Sequence, residues 1–269
     1  MKLAPPTCLL ALLISVSASA AEEKKLRDLA PDRPDTTESP QTVDKGHFQL
    51  EMTFADFTRN AQKGSDRHSH TWAFADTNMK FGLTESDDIQ FIMSPYGYEN
   101  GDMPRDRTDG ASPLTIRWKH NFWGNDEGDT AFALMPFVVL PTGSDLSGDH
   151  VEGGLIAPLS WTPEWAEERN LGFCFMLEGD AVWDDDKERY DGVLVHTATC
   201  GFGIGDTPFG GFVEYVGELY SSGDDYTAYF DAGLTYSVND NMMFDIGTRL
   251  GLTDASDELG FFVGMTFRY

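Results

Sequence analysis

The feature that most constrains this chain is how its apolar residues are spaced between His47 and Tyr269: they alternate, and they never run long. Past residue 20 no stretch reaches the roughly 18 consecutive apolar residues that a membrane helix needs. Segments of about ten to thirteen residues instead alternate apolar with small or polar side chains, and clusters of Gly, Asp, Asn, Pro and Ser separate them. Period 2 predicts strands with two unlike faces. A soluble sheet tolerates such strands. A transmembrane barrel requires them, because one face of every strand meets hydrocarbon and the other a wet lumen.

Twelve segments are predicted, at 47–59, 70–83, 89–98, 113–123, 130–141, 153–162, 171–183, 192–204, 209–220, 227–238, 242–252 and 259–269. An even count is what a bacterial single-chain barrel needs. With both termini in the periplasm, the connectors destined for the outside (60–69, 99–112, 142–152, 184–191, 221–226, 253–258) are on average longer than the periplasmic ones. Long outer loops and short inner turns are the expected asymmetry. The predicted fold is therefore all-β: a transmembrane up-and-down antiparallel barrel of about twelve strands.

The last segment shows the facing best. Leu259, Phe261, Val263, Met265, Phe267 and Tyr269 form one face; Gly260, Phe262, Gly264, Thr266 and Arg268 form the other. Charges keep to the second kind of face elsewhere, as the cost of a charge in hydrocarbon demands. This makes Arg117, Lys119, Glu178, Asp180, His196, Glu214, Glu218, Asp231, Asp245, Arg249 and Arg268 the candidate lumen lining. Early segments are less regular. Trp72 and Phe74 share parity with Asp76, and segment 89–98 switches face near Pro95. Trp and Tyr gather near segment ends, among them Trp72, Trp123, Trp161, Trp183 and Tyr236, as aromatic girdles do.

The first twenty residues read as a secretory signal peptide: Lys2, an apolar run from Cys8 to Val16, and Ala18-Ser19-Ala20. Together with the barrel pattern this predicts a bacterial outer membrane. A net charge of −26 excludes nucleic acid as a partner. Residues 21–46 show no period and carry Pro31, Pro34 and Pro40. They are read as an extended segment, either a lumenal plug or a periplasmic leader.

Within that segment, Arg33-Pro34-Asp35, Thr37-Glu38-Ser39-Pro40, Thr42-Val43, Gly46 and Phe48-Gln49-Leu50-Glu51 form a recognisable opening. Later phrases follow in order: Lys80 to Glu85, Leu140 to Gly143, Asp231 to Tyr236, Asp245-Ile246-Gly247 and Gly251 to Asp254. This resembles the MetA-pathway of phenol degradation family over most of residues 31–269. The resemblance implies a porin-like outer-membrane transporter for hydrophobic or aromatic compounds. The strong acidity, Cys174 and Cys200 depart from the family pattern.

Cys174 and Cys200 flank one predicted hairpin. A turn near residue 187 would set them opposite each other and set Glu178 opposite His196, so a cross-strand disulfide and two free thiols are both open. His68 and His70 beside Asp66 form a metal-like spacing in a loop, but solvent-exposed histidines read equally well, and no metal or cofactor is expected. Asp184-Asp185-Asp186 and Asp224-Asp225 read as solvated loop tips, with divalent-cation binding near lipopolysaccharide as the alternative. A lipid-modifying enzyme would need a nucleophile beside His120 or His196; none is in register, so no catalytic residue is assigned. The expected partners are outer-membrane lipids, the outer-membrane insertion machinery reading Phe267 and Tyr269, and a small-molecule solute. A purely structural barrel is the alternative to a channel, and the oligomeric state is open.

Overall fold

The computed structural model describes residues 25–61, 68–101, 107–185, 187–223 and 226–269. Residues 1–20, expected from sequence to be a signal peptide, and Asp66, Asp186 and Asp224-Asp225 lie outside the described residues. Among the described residues the strands are β1 (Phe48–Ala61), β2 (His68–Gly82), β3 (Asp87–Met93), β4 (Tyr96–Asn100), β5 (Arg107–Gly110), β6 (Leu114–Trp123), β7 (Thr130–Leu140), β8 (Glu152–Trp161), β9 (Leu171–Asp184), β10 (Arg189–Gly203), β11 (Phe209–Tyr220), β12 (Thr227–Asn239), β13 (Met242–Gly251) and β14 (Leu259–Arg268), with one helical turn, α1 (Glu164–Glu167), between β8 and β9.

Each barrel strand pairs antiparallel with its neighbours, and β1 pairs with both β2 and β14, so the sheet closes. At the seam Phe48 and Tyr269 exchange backbone hydrogen bonds of 2.9 and 2.8 Å. Twelve strands make the barrel. β4 and β5 are an additional hairpin that extends it at the end remote from the termini. The predicted segment 89–98 is thus two strands, β3 and β4, broken at Ser94-Pro95. Proline cannot donate to a ladder, and Ser112 repairs the break: its hydroxyl accepts from Ser94 N at 2.8 Å while its own N–H donates to Ser94 O at 2.9 Å.

The same height explains the irregular parity of β2. Register is interrupted between Thr53 and Ala55 on β1, and Ala75 on β2 takes a left-handed φ of 53°. A bulge turns the pleat over. Asp76, Asn78 and Lys80 therefore face inward on one side of it, while Phe57, Trp72 and Phe74 stack together on the outer wall.

The exterior carries the apolar face of every strand: Leu177 and Ile246, for example, are each 58% exposed. Such a surface is stable against hydrocarbon and not against water. Aromatic pairs rim it near the termini, with Trp123 on Phe132 and Phe209 on Tyr236, each at 5.0 Å between centroids. The most buried apolar cluster lies inside. Met135, Ile156, Met176, Val195 and Val216 come from five successive strands, β7 to β11, and pack against one another on the lumenal face.

Candidate functional site in the barrel interior

Beside that apolar cluster, and in contact with it where Glu38 N lies 3.4 Å from Met176 Sδ, the interior is occupied by the chain's own residues 31–44. The sequence makes this stretch extended, with Pro31, Pro34 and Pro40 removing backbone donors that a helix or ladder would need. Its side chains and amides instead bond to inward residues of the wall. Arg33 reaches furthest along the chain: Nε donates to Asp245 Oδ2 at 2.8 Å and Nη2 to Asp245 Oδ1 at 2.6 Å, a bidentate fork, while Nη1 donates to Thr53 Oγ1 at 2.5 Å. Glycine at 264 leaves room for it, since a Cβ there would sit 2.2 Å from Arg33 Nη2.

Asp32 sits between two lysines of the wall. Lys80 Nζ is 2.5 Å from Oδ2 and Lys119 Nζ is 2.8 Å from Oδ1, and Lys80 also contacts Glu51. The amide of Asp32 donates to both oxygens of Glu51 at 3.1 Å. Lys80 and Lys119 are 1% and 0% exposed, so these are fully desolvated charges that persist only because each has several partners. Burial alone would raise the Asp32 pKa, but the two lysines together pull it well below the carboxylate range. Lys119 further donates to the carbonyls of Ser39 and Gln41 at 2.7 and 3.2 Å.

Two acids of the segment shift the other way. Glu38 meets Arg117 at 2.5 Å, yet burial, aided by nearby Asp32, pushes its pKa up to about 8. Asp35 is raised well above its ordinary value, first by burial and then by Glu214, a like charge. Glu214 itself accepts from the amides of Thr36 and Thr37 at 2.7 and 2.8 Å. Val43 N donates to Asp88 at 3.1 Å and Asn121 Nδ2 to Pro40 O at 2.9 Å. At the termini end Arg27 ties the segment to two turns, donating to Asp126 Oδ1 at 2.8 Å and to Glu85 O at 2.9 Å. A cavity of about 980 Å³ remains there between the segment and the wall, lined in part by Asp35, Glu38, Ser160, Cys174 and Thr199.

The segment held in this way carries the opening motif, and the family model described as "Putative MetA-pathway of phenol degradation" matches residues 31–269, a range that includes that motif. The chain belongs to this family. Among solved structures, an outer membrane channel from Pseudomonas putida F1 superposes with a TM-score of 0.62 at 10% identity, covering 86% of this chain and 98% of that one. The NanC porin gives 0.51 at 9% identity, with 82% and 98% covered. The beta domain of a Bordetella autotransporter, BrkA, gives 0.50 at 11% identity, with 84% and 100% covered. At these identities the likeness is one of fold. No curated protein matches the sequence.

The phenol-degradation family motif accounts for Arg33, Asp35 and Glu38, and the alternation accounts for most of the wall. Arg117, Lys119, Glu178, Asp180, Glu214, Glu218, Asp231, Asp245, Arg249 and Arg268 all lie on inward parity. His196 does not. It stacks on Tyr226 and lies within 3.1 Å of that hydroxyl on the outer wall. The cause is a register one residue away from a turn at 187: Glu178 pairs with Val195 and Cys174 with Thr199. The same slip separates the cysteines. Cys174 faces the lumen, Cys200 faces outward, and both are free.

Lys80, Glu51, Asp32 and Asp88 are the site residues that alternation missed. Lys80 stands between outward Met79 and Phe81, which was a usable signal, but the bulge at Ala75 hid the face of the strand. His70 stacks on Phe57 at 5.6 Å, on the outer wall. His120 Nδ1 lies 2.7 Å from Asp87 Oδ1, also on the outer wall, and among the described residues no hydroxyl bonds its Nε2.

Proposed function

We propose that this protein is an outer-membrane channel for small hydrophobic or aromatic solutes, closed by residues 31–44 and opened by their release. The observation that carries the reading is how the lumen is filled. The occupying segment is continuous with the barrel at one end only and is held by ion pairs and hydrogen bonds to groups that water can solvate once it withdraws. A barrel with a purely structural task needs no such removable filler, because wall side chains suffice, as β7 to β11 demonstrate. The lumenal apolar cluster beside the segment supports an apolar cargo: with the segment displaced, a solute passing Met135, Ile156 and Val195 exchanges water for hydrocarbon contact. Family membership and the barrel fold support the same reading. Outer-membrane lipids surround the apolar exterior, and the insertion machinery reads Phe267 and Tyr269. Tyr269 is 83% exposed, so Tyr269→Ala should slow insertion without loosening the finished barrel; unchanged insertion kinetics would remove that role.

Deleting residues 31–40 and recording in planar bilayers tests the channel. The expected result is a several-fold larger conductance, with faster flux of an uncharged aromatic solute into liposomes. Equal conductance removes the plug. Absence of any permeability in both forms sinks the channel, and hydrolysis of phospholipid vesicles that is lost in His120→Ala would establish a lipid-modifying enzyme in its place.

A further inference from the structure

Beyond residues 31–44, toward the end remote from the termini, the lumen turns acidic. Glu218 is four residues past Glu214 along β11, roughly 13 Å further up the wall. Glu178 and Glu218 both lie beside Val195 in the ladder, and Asp180 follows Glu178 on the same face. The carboxyl groups of Glu178 and Asp180 are within hydrogen-bonding reach of one another. Across the lumen, Asp56 lies near both Arg249 and a second acid, Asp76.

Two arginines serve this region, and both are occupied. Arg117 is held by Glu38 at 2.5 Å and Arg249 by Asp231 at 3.1 Å. Among the described residues, none of Glu178, Asp180, Glu218, Asp56 and Asp76 has an ion-pair partner. A second observation points to a missing positive charge. The Asp231 side chain is only 1% exposed, yet its Oδ1 has no hydrogen-bond donor, and Asp180 Oδ1 is buried without one too. A buried carboxylate oxygen without a donor is costly unless a cation or proton visits it.

Release of the segment does not reverse the balance. It frees Lys80, Lys119 and Arg117, but it also frees Glu51, Asp88, Glu214 and Asp245 on the same level of the wall. Carboxylate rings favour cations and low-dielectric walls focus their field. Resting on the channel reading above, we propose that the lumen selects for positive charge: inorganic cations over anions, and cationic or neutral organic solutes over carboxylates, with Glu178, Asp180 and Glu218 setting the preference.

The test is the reversal potential in planar bilayers under a potassium chloride gradient, read on the full-length protein and, where that stays closed, on the 31–40 deletion, which retains every wall carboxylate. A potassium-over-chloride permeability ratio of about 3 or more is expected at low salt, falling toward 1 near 1 M, where screening acts within about 3 Å. The Glu178→Gln, Asp180→Asn, Glu218→Gln triple variant should bring the low-salt ratio near 1. If it fails to show heat-modifiable migration on a gel, Asp180→Asn alone should lower the ratio by about half. A ratio at or below 1 in the unaltered protein, or no change in a folded variant, overturns cation selection and leaves the channel standing. No current from either the full-length protein or the 31–40 deletion overturns both.

Discussion

The two sides of the lumen are filled by opposite means. Toward β7 to β11 the wall fills itself, with Met135, Ile156, Met176, Val195 and Val216 in mutual contact. Toward β1, β2, β6 and β13 it presents Lys80, Lys119, Arg117 and Asp245, and the counter-charges come from elsewhere in the chain: Asp32, Arg33 and Glu38. The difference separates what can move from what cannot. Opening an apolar contact leaves a void or wets hydrocarbon. Withdrawing a segment from charged walls leaves groups that water solvates well. The charged side is therefore the one built to be reversible, while the apolar side gives the cargo path its character.

The hardest way to break this comparison is to remove one charge and leave its partners. Lys80→Met strands Asp32 and Glu51 next to each other with Lys119 alone to balance them. The expected cost is about 3–5 kcal/mol, read as a lower denaturant midpoint for loss of heat-modifiability and as raised conductance. Replacing Asp32, Glu51, Lys80 and Lys119 together by apolar residues of similar size, so that no member of the cluster is left charged, should recover most of that stability. A neutral Lys80→Met would mean that ion pairs do not hold this side.

Ile156→Ala probes the other side. Its side chain is 0% exposed, and its loss should cost about 2 kcal/mol or somewhat more through the cavity it leaves. Because the Ile156 side chain carries none of the ion pairs or hydrogen bonds of residues 31–44, resting conductance should stay at the unaltered level. A variant that opens the channel as strongly as Lys80→Met would show that the apolar cluster, rather than the ion pairs, keeps residues 31–44 in place.

This division was only half visible in the amino-acid order. Alternation in β9, β11, β12, β13 and β14 places Glu178, Glu214, Asp231, Asp245 and Arg268 inward with no help from anything else, because hydrocarbon penalises the alternative. It fails where the pleat turns over. The interruption at Thr53/Ala55, the left-handed Ala75 and the Ser94-Pro95 break lie side by side on adjacent strands. No local pattern announces three coupled irregularities, so Lys80 was not seen as an anchor. Register carries a similar limit. A hairpin turn misjudged by one residue sends His196 and Cys200 to the outer wall. Residues 31–44 are less legible still, since nothing periodic governs an extended segment. Its prolines say that it is not a strand; what it touches depends on side chains from strands as distant in sequence as β13.

A smaller effect should appear on the charged side as pH changes. Docked, Glu38 is raised to about 8, by burial first and by Asp32, against the pull of Arg117 and Lys119. Docked Asp35 is raised as well, by burial and by Glu214 and Asp32. Released into water, both would return to about 4. The docked form therefore binds protons more tightly than the released form, so acid favours docking. That contribution is fully present below the released value and is lost as pH rises through the docked one. Asp32 has the opposite sign: its docked pKa is lowered, so its contribution is complete above the released value of about 4 and is lost only as pH falls below that. Between about pH 5 and pH 9, conductance should then climb, and Glu38→Gln with Asp35→Asn should flatten the climb. Ile156→Ala should keep the full slope, because that side chain makes none of the hydrogen bonds or ion pairs of Glu38 and Asp35. A flat profile in the unaltered protein would show that the charged side releases the segment without exchanging protons, and would narrow the difference between the two sides to the ion pairs of Asp32 and Arg33.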